Sequence, residues 1–297
     1  MKNKHAYLII AHNQPELLKI LLKTLDYPDN DIYVHLDKKM GNICLEPFYE
    51  IVKYSGLVFL SNRLDVKWGD FSQIECELRL LEASIPQEYQ YYHLMSGVDL
   101  PLKSQKEIHD FFEEHEGTEF VHFDAPYIDS LSYKRVSKYI FIQKRNKNWI
   151  EKIIYKIMMI LQFGVDRGKK TKLVYQKGAN WFSITNSLAE YVVSNRLLIE
   201  KQFKHTLCAD EVFLQTLIAS SDFINVVSEN NFSDNYETIQ YCIDWKRGNP
   251  YEFRAGDFDA LMNSNMLYAR KFNWNVDSEI VQRIYEKVVN SNTGQEK

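Results

Sequence analysis

Two pairs of acidic residues have types and spacings that could do chemistry. Asp257 and Asp259 are one residue apart, a spacing that suits a divalent cation, and Asp210 and Glu211 are adjacent. Both pairs open predicted helices, where the helix dipole favours negative charge. From the residues alone we interpret both pairs as helix starts. A carboxylate that accepts a proton remains the alternative for Glu211.

Several motifs of other enzyme classes do not occur in the sequence. It has no GxGxxG, no GxxxxGK followed by Ser or Thr, and no GxSxG, which disfavours dinucleotide oxidoreductases, P-loop NTPases and serine hydrolases. The eight histidines form no HExxH pattern, so no zinc site is predicted. The four cysteines form no CxxC pair and are interpreted as reduced, buried thiols of a cytosolic protein: Cys44, Cys76, Cys208 and Cys242.

Composition bounds the class of protein. The chain has 297 residues, of which 45% are hydrophobic, so it can bury a substantial core. Its formal net charge of -4 disfavours a general nucleic-acid binder, which needs a dense basic face. Aromatic residues make up 14% of the chain, and we expect most of them to lie in the core.

The first 125 residues alternate between short apolar strands and amphipathic helices. The predicted strands are 6–11, 32–36, 58–60, 91–95 and 120–123, and the predicted helices are 15–25, 70–83 and 105–114. This alternation predicts an α/β domain with a mostly parallel central sheet covered by helices on both faces.

Polar residues follow four of these strands directly. They are His12-Asn13, Asp37-Lys38-Lys39, Asn62-Arg63 and Ser96-Gly97-Val98-Asp99. Ligands of open α/β sheets bind beyond the carboxyl ends of the strands. The sequence therefore predicts one shared pocket at this edge.

Residues 126–172 interrupt the alternation with a basic amphipathic segment around the apolar run 153–163. One interpretation is a helical insertion whose apolar face packs on the main domain. The other is a helix that lies on an anionic membrane surface, where a lipid-linked acceptor could be located. No run is long enough to span a membrane.

Regular structure returns after Gly178. Strands are predicted at 180–184 and 239–244, and helices at 186–194, 209–219, 258–264 and about 277–289, with 267–272 leading into the last helix. The chain is predicted to form a single domain over 1–290, followed by a frayed tail over 291–297.

A series of motifs resembles one known family in the same order. The segments AYLIIAHN, DIYVHLDKK, FLSNRLDVKWGDFSQIECELRLL and YYHLMSGVDLPLKS, and later GANWFSITNSLAEYVV, CADEVFLQTLI and FRAGDFDALMNSNMLYARKF, resemble the core-2/I-branching β-1,6-N-acetylglucosaminyltransferase family. The resemblance covers about residues 5–273. It implies a GT-A-like fold and an inverting sugar transfer without a bound metal, so we expect no cofactor beyond a UDP-sugar substrate.

The resemblance also implies roles for the residues that could drive the transfer. Glu211 matches the catalytic base, which takes the proton of the acceptor hydroxyl. Lys271 matches the cation that stabilises the leaving diphosphate in place of a metal. Its partner is Arg247 or Arg254, since neither has the strictly counted family spacing.

The remaining implied roles concern binding. The donor nucleotide and sugar are expected to contact the strand-end residues His12, Asp37, Arg63 and Asp99. The acceptor is expected to contact Trp245 and Asp210, and a Trp face suits a pyranose ring.

The animal members carry an N-terminal membrane anchor and luminal disulfides, whereas this sequence begins at the catalytic domain. We therefore expect a bacterial-type protein, cytoplasmic or peripheral on the inner face of the membrane. The expected partners are a UDP-sugar and an oligosaccharide or lipid-linked glycan acceptor, with no nucleic acid.

The most direct functional hypothesis is transfer of GlcNAc from UDP-GlcNAc in surface polysaccharide synthesis. UDP-Gal, UDP-Glc and UDP-xylose are alternative donors. An inactive glycan-binding or scaffold protein is an alternative of another class, which Glu211 and Lys271 disfavour. A glycoside hydrolase is also disfavoured, because it needs two carboxylates across the scissile bond.

Overall fold

A computed structural model of the chain describes residues 3–143, 147–228, 232 and 236–292. The strands are β1 His5–Ala11, β2 Asn30–Leu36, β3 Gly56–Phe59, β4 Tyr91–Ser96, β5 Leu100–Pro101, β6 Phe120–Val121, β7 Phe182–Thr185, β8 Tyr241–Ile243 and β9 Tyr268–Arg270. The helices are α1 Pro15–Leu25, α2 Glu46–Tyr49, α3 Ser72–Ser84, α4 Gln105–Glu114, α5 Ser130–Ser137, α6 Trp149–Leu161, α7 Asn186–Ser194, α8 Arg196–Phe203, α9 Phe213–Ala219, α10 Phe258–Met262 and α11 Ser278–Asn292.

The central sheet has six strands in the order β3-β2-β1-β4-β7-β6. Strands β1 to β4 run parallel, and β7 runs antiparallel to both β4 and β6. The predicted α/β architecture with a mostly parallel sheet is confirmed. The chain leaving β4 passes close to the end of β1, because a Cβ on Gly97 would lie 2.9 Å from the Ala11 Cβ.

The sheet is covered on both faces, and β1 shows why its sequence requires this. All seven residues of β1 are buried. Its alternate side chains point to opposite faces. Tyr7, Ile9 and Ala11 pack with α1, α4 and α11, whereas Ala6, Leu8 and Ile10 pack with α3, α7 and α9.

A second, three-stranded sheet of order β5-β9-β8 was not predicted. Strand β9 runs antiparallel to β5 and parallel to β8. The Phe272 amide donates to the Val98 carbonyl over 3.0 Å. This sheet therefore brings the residues after β9 to the carboxyl end of β4.

Local signals fix several helix ends where the sequence predicted them. Helices α1, α4 and α7 have the predicted bounds. Helix α4 begins with a capping box in which Ser104 and Glu107 bond each other's backbone. The pair Asp257 and Asp259 lies at the start of α10, as predicted.

Other boundaries differ from the prediction. The expected helix 209–219 is split into a 3-10 turn, Ala209–Glu211, and α9, because Val212 leaves helical geometry. Helix α8 was not predicted. Helix α11 continues to Asn292, so the tail predicted from 291 begins too early, and residues 293–297 lie outside the described residues.

The apolar run of the basic segment forms α6, and the expectation that its apolar face packs on the main domain is wrong. None of the α6 residues is buried. Lys144 and Arg145 of this segment lie outside the described residues. No helix in the described parts of the chain is long and apolar enough to cross a membrane.

The four cysteines are free, but they are not all buried as predicted. Cys76 and Cys208 are buried, Cys242 is intermediate and Cys44 is exposed. Cys44 lies in the loop before α2, where its thiol contacts Glu46.

Candidate active site

The carboxyl ends of the parallel strands meet at one edge, as the sequence predicted. The Asp37 amide donates to the Ala11 carbonyl over 2.8 Å, and the Gly97 amide donates to the Ile10 carbonyl over 3.0 Å. The guanidinium of Arg63 donates to the Leu36 carbonyl over 2.8 Å. The ends of β1 to β4 are thus connected by two backbone hydrogen bonds and one from the Arg63 side chain.

The side chains of Asp37 and Arg63 hold the loops at this edge through hydrogen bonds to backbone groups. The Asp37 side chain is fully buried and accepts backbone N–H groups of Lys39 at 2.8 Å and Val66 at 3.0 Å. Arg63 also donates to the carbonyls of Gly41 and Asp37. Both side chains are therefore engaged in holding the loops that surround a cavity of about 370 Å³ after β2 and β3.

Asp99 and Arg270 form a buried ion pair between the two sheets. The Arg270 guanidinium donates to Asp99 Oδ1 over 2.6 Å, and the Ser96 amide donates to Oδ2 over 2.8 Å. Burial raises the pKa of Asp99, whereas the positive charge of Arg270 lowers it by a smaller amount. The guanidinium also lies 4.3 Å from the ring centroid of Trp181.

His12 lies beside two cations at the same edge. Desolvation lowers the pKa of His12, and the charges of Arg270 and Lys271 lower it further. Two positive side chains, one at the end of β9 and one directly after it, therefore lie near the end of β1. Such a pair of cations can hold a diphosphate.

Lys271 shares an acidic partner with Arg254. Its Nζ lies 3.1 Å from Glu252 Oε1. Burial alone would raise the pKa of Glu252, but hydrogen bonds from Asn273 and Lys271, and the charge of Arg254, lower it. Arg254 is exposed, and the amide of the adjacent Phe253 donates to the Lys271 carbonyl over 2.9 Å, so the geometry is compatible with its predicted role.

Arg247, the other predicted partner of Lys271, forms ion pairs with two carboxylates. Its guanidinium bonds Asp244 and, over 2.7 Å, Asp257 Oδ1, and it lies 4.0 Å from the Tyr251 ring centroid. A guanidinium held by two carboxylates would have to leave them to meet a phosphate. Arg254 makes no such pair of carboxylate contacts among the described residues, and both roles stay predictions.

Glu211 lies at the end of the 3-10 turn with a partly exposed carboxylate. Arg135 of α5 donates to its Oε2 over 3.0 Å, and Lys177 Nζ lies 3.9 Å from the same oxygen. The Glu211 side chain is 36% exposed. A carboxylate in this position can meet a hydroxyl from solvent while two cations hold its other side.

The segment 177–181 connects Glu211 with Arg270 of β9. Lys177 contacts Glu211 at one end, and Trp181 lies under Arg270 at the other. Four peptide units span at most about 14 Å. Glu211 and Arg270 therefore contact opposite ends of one short segment.

Gly178 allows this segment to follow its path. Its amide donates to the Glu211 carbonyl over 2.9 Å. A Cβ at this position would lie 1.7 Å from the His122 carbonyl oxygen. Only glycine fits so close to another backbone.

Asp210 has a different environment from its neighbour. Its Oδ1 is buried without a hydrogen-bond partner among the described residues. Burial, with the charge of Glu211, raises the pKa of Asp210 to about 7. Burial and the charge of Asp210 also raise the pKa of Glu77, a fully buried residue of α3. Asp210 is therefore a partly exposed residue with one buried carboxylate oxygen close to the buried Glu77, and its acceptor role stays a prediction.

Trp245 is joined to the Glu211 side by aromatic contacts. Its ring is 47% exposed and lies 6.3 Å from the Tyr236 ring, which in turn lies 5.0 Å from the His122 ring. His122 Nδ1 is 3.4 Å from Asp124, and Asp124 pairs with Lys177. An exposed indole at the rim of this network can stack on a sugar ring.

Sequence reasoning missed several residues of the site: Arg135, Lys177, Trp181, Glu252 and Arg270. Arg270 adjoins Lys271, so its position in the same motif was a usable signal. Arg135 lies 76 positions from Glu211 in the sequence, so no shared motif indicated that the two side chains would meet.

The described residues contain no group of three or more His, Cys, Asp or Glu side chains that could hold a metal ion. Asp257 accepts bonds from the Arg247 side chain and the Arg254 amide, so both of its carboxylate oxygens are used. The positive side chains near the candidate site include Lys271, Arg270 and Arg254.

Comparisons with known proteins show which family and which relatives this chain resembles. The family model described as Core-2/I-Branching enzyme matches residues 5–267. A xylosyltransferase of Ciona intestinalis is 21% identical over 94% of the chain, and xylosyltransferase 2 of Homo sapiens is 23% identical over 93%. The chain spans about a third of the length of these relatives, 33% in each case.

Among solved structures, the apo form of mouse xyloside xylosyltransferase 1 is 10% identical to this chain and covers 91% of it. The match covers 98% of that structure, with a TM-score of 0.39, a value too low to establish a common topology. The family match, which covers most of the sequence, is the stronger finding. The chain belongs to the Core-2/I-Branching enzyme family.

Proposed function

We propose that this protein is an inverting glycosyltransferase that moves a sugar from a UDP-sugar to a hydroxyl of a glycan acceptor. The carrying observation is the segment 177–181, which anchors the partly exposed Glu211 at one end and Arg270 at the other. Family membership supports the same class of reaction.

Glu211 takes the proton of the acceptor hydroxyl as that oxygen attacks the anomeric carbon from the face opposite the diphosphate. The bond from the anomeric carbon to the diphosphate oxygen breaks, and the UDP leaves as an anion. Lys271 and Arg270 stabilise the charge that develops on the diphosphate, with Arg254 as a further cation. We propose that no divalent metal is needed for this step.

The donor is proposed on weaker grounds than the reaction. GlcNAc remains the first expectation from the sequence, and the names of the relatives support xylose as the alternative to test beside it. A role in surface polysaccharide synthesis belongs to the same proposal.

Glu211→Gln tests the base. The amide keeps the shape of the side chain but cannot accept the proton, so transfer should fall by about 10²–10⁴-fold. UDP affinity, measured by calorimetry, should stay close to that of the unaltered protein. Glu200→Gln, at an exposed carboxylate of α8, is the matched control and should keep full activity.

Transfer is measured with UDP-GlcNAc, UDP-xylose, UDP-Gal and UDP-Glc, with and without EDTA. Transfer or donor hydrolysis that persists in EDTA supports the metal-free mechanism and identifies the donor. Normal transfer by the Glu211→Gln variant would remove Glu211 from the role of base. Loss of activity in EDTA would overturn the role proposed for Lys271 and Arg270.

A further inference from the structure

Helix α6 turns its apolar side chains to solvent. Trp149 is 72% exposed, Leu161 is 78% exposed, and Phe163 just beyond the helix is 93% exposed. Between them lie further exposed apolar side chains: Ile150, Ile153, Ile154, Ile157 and Ile160. An unpartnered stripe of this size on one helix is unusual for a protein surface.

The orientation of α6 follows from its periodicity. Trp149, Ile153, Ile157 and Ile160 recur at helical spacing and share one face, with Ile150, Ile154 and Leu161 beside them. The opposite face is half-buried and carries Glu151, Tyr155, Met158 and Met159. The helix therefore rests on the protein through its mixed face and presents the apolar one.

The segment that carries α6 is strongly basic. Residues 130–177 contain 13 Lys and Arg but only two acidic residues, although acidic residues outnumber basic ones, 40 to 36, in the whole chain. Lys152 and Lys156 lie along one border of the apolar face, and Lys169, Lys170 and Lys172 are exposed after the helix. Lysines therefore border one side of the apolar stripe and follow its C-terminal end.

We propose that residues 149–163, which we call the α6 face, dock on an anionic membrane surface. With 13 residues α6 is roughly 20 Å long, so it lies in the interface and does not cross it. A stripe with Trp at one end and Phe at the other, bordered by lysines, matches the chemistry of the headgroup region. Two copies of the chain would instead bring two basic borders together.

The α6 face is connected to the candidate active site. Gln162 at the end of α6 exchanges hydrogen bonds with the Tyr139 backbone over 2.7 and 3.0 Å, directly after α5. Helix α5 supplies Arg135 to Glu211. Docking would therefore hold Glu211 near the membrane, where a lipid-linked acceptor lies. This last consequence rests on the proposed function, but the docking itself does not.

Vesicle sedimentation tests the docking. The full chain is mixed with vesicles of phosphatidylcholine alone or of equal parts phosphatidylcholine and phosphatidylglycerol. Binding should be much stronger to the anionic vesicles and should weaken with salt. The double variant Ile153→Asp with Ile157→Asp should lose binding more than tenfold, because it places two charges on the apolar face.

Two comparisons make the test specific. Leu197→Asp changes an equally exposed apolar residue on α8, 81% exposed, and should bind vesicles normally. Lys152→Glu with Lys156→Glu should reduce binding to anionic vesicles by about tenfold or more while leaving the apolar face intact. Circular dichroism and UDP affinity of all variants should match the unaltered protein, which separates docking from the proposed function.

Three outcomes would overturn the proposal. One is failure of the unaltered protein to bind anionic vesicles. Another is vesicle binding by the Ile153→Asp, Ile157→Asp variant equal to that of the unaltered protein. The third is a dimer in solution that this variant dissociates, without vesicle binding, which would assign the α6 face to a second copy of the chain.

Discussion

At the scale of single residues, the candidate site is built from ion pairs that join distant parts of the chain. Arg270 is paired with the fully buried Asp99 and lies against Trp181. Arg135 is paired with Glu211. The same positive side chains can therefore serve two purposes, because they complete the fold and are available to an anionic substrate.

We predict that Arg270→Gln destabilises the protein by about 3–5 kcal/mol, because it leaves the Asp99 carboxylate buried without its cation. The double variant Asp99→Asn with Arg270→Gln removes the uncompensated charge and should recover most of this loss. Both values come from urea unfolding followed by fluorescence. A loss below about 1 kcal/mol for Arg270→Gln would contradict the importance of the pair.

The same double variant separates the two purposes of Arg270. If it contacts the diphosphate as proposed, the double variant should fold but bind UDP at least tenfold more weakly. If it serves only Asp99, UDP affinity should be unchanged.

At the scale of elements, the segment 177–181 positions the chemistry more than any helix does. It runs along the Glu211 turn and enters β7 just after Trp181. Its path requires that the Gly178 backbone approach His122 closely.

We predict that Gly178→Ala costs about 1–3 kcal/mol or more, since the added methyl group forces two backbones apart. Transfer should fall with it, because Lys177 and Trp181 would move together. Gly164→Ala is the matched control, as nothing lies within 4 Å of a Cβ there, and it should change the unfolding free energy by less than about 0.5 kcal/mol. If Gly178→Ala and Gly164→Ala have the same free energy of unfolding, the Gly178 backbone does not approach the His122 carbonyl closely.

At the scale of the whole molecule, buried groups of two kinds act oppositely on stability as pH changes. Burial lowers the pKa of His35 and of His109 to about 4. As pH falls, the unfolded chain therefore binds protons at these histidines before the folded chain does, and acid destabilises the fold. Burial raises the pKa of Glu119 to about 7, so the folded chain keeps that proton longer. The contribution of Glu119 to stability is therefore present at low pH and is lost as pH rises through 7.

Glu119→Gln isolates the second effect. Its carboxyl is buried and accepts from the Thr185 amide over 2.9 Å. Because the amide does not ionise, the stability of the variant relative to the unaltered protein should rise by about 3 kcal/mol between pH 5 and pH 8. Urea unfolding at both values measures it, and the exposed neighbour Glu116→Gln should show no such rise. A difference that stays constant with pH would contradict the raised pKa of Glu119.

Local features of the sequence determined the elements and the family. The amphipathic pattern of the sequence predicted the bounds of α1 and α4. The structure shows that Pro15 and the capping box at Ser104 stabilise their starts through contacts within a few residues. The apolar run of β1 required burial on both faces, and the polar residues after each parallel strand had to meet at one edge. These inferences needed no knowledge of distant contacts.

Only the tertiary structure decided how the site is assembled and which surface is left open. Asp99 meets Arg270 across 171 positions, and that pairing depends on the unpredicted second sheet. Asp37 and Asp210 were predicted to bind ligands, and only the structure shows that the Asp37 side chain and the Asp210 Oδ1 are buried. The amphipathic pattern of α6 was visible in the sequence, whereas the direction of its apolar face was not. A helical period fixes which residues share a face, and packing alone decides whether that face meets the core or the solvent.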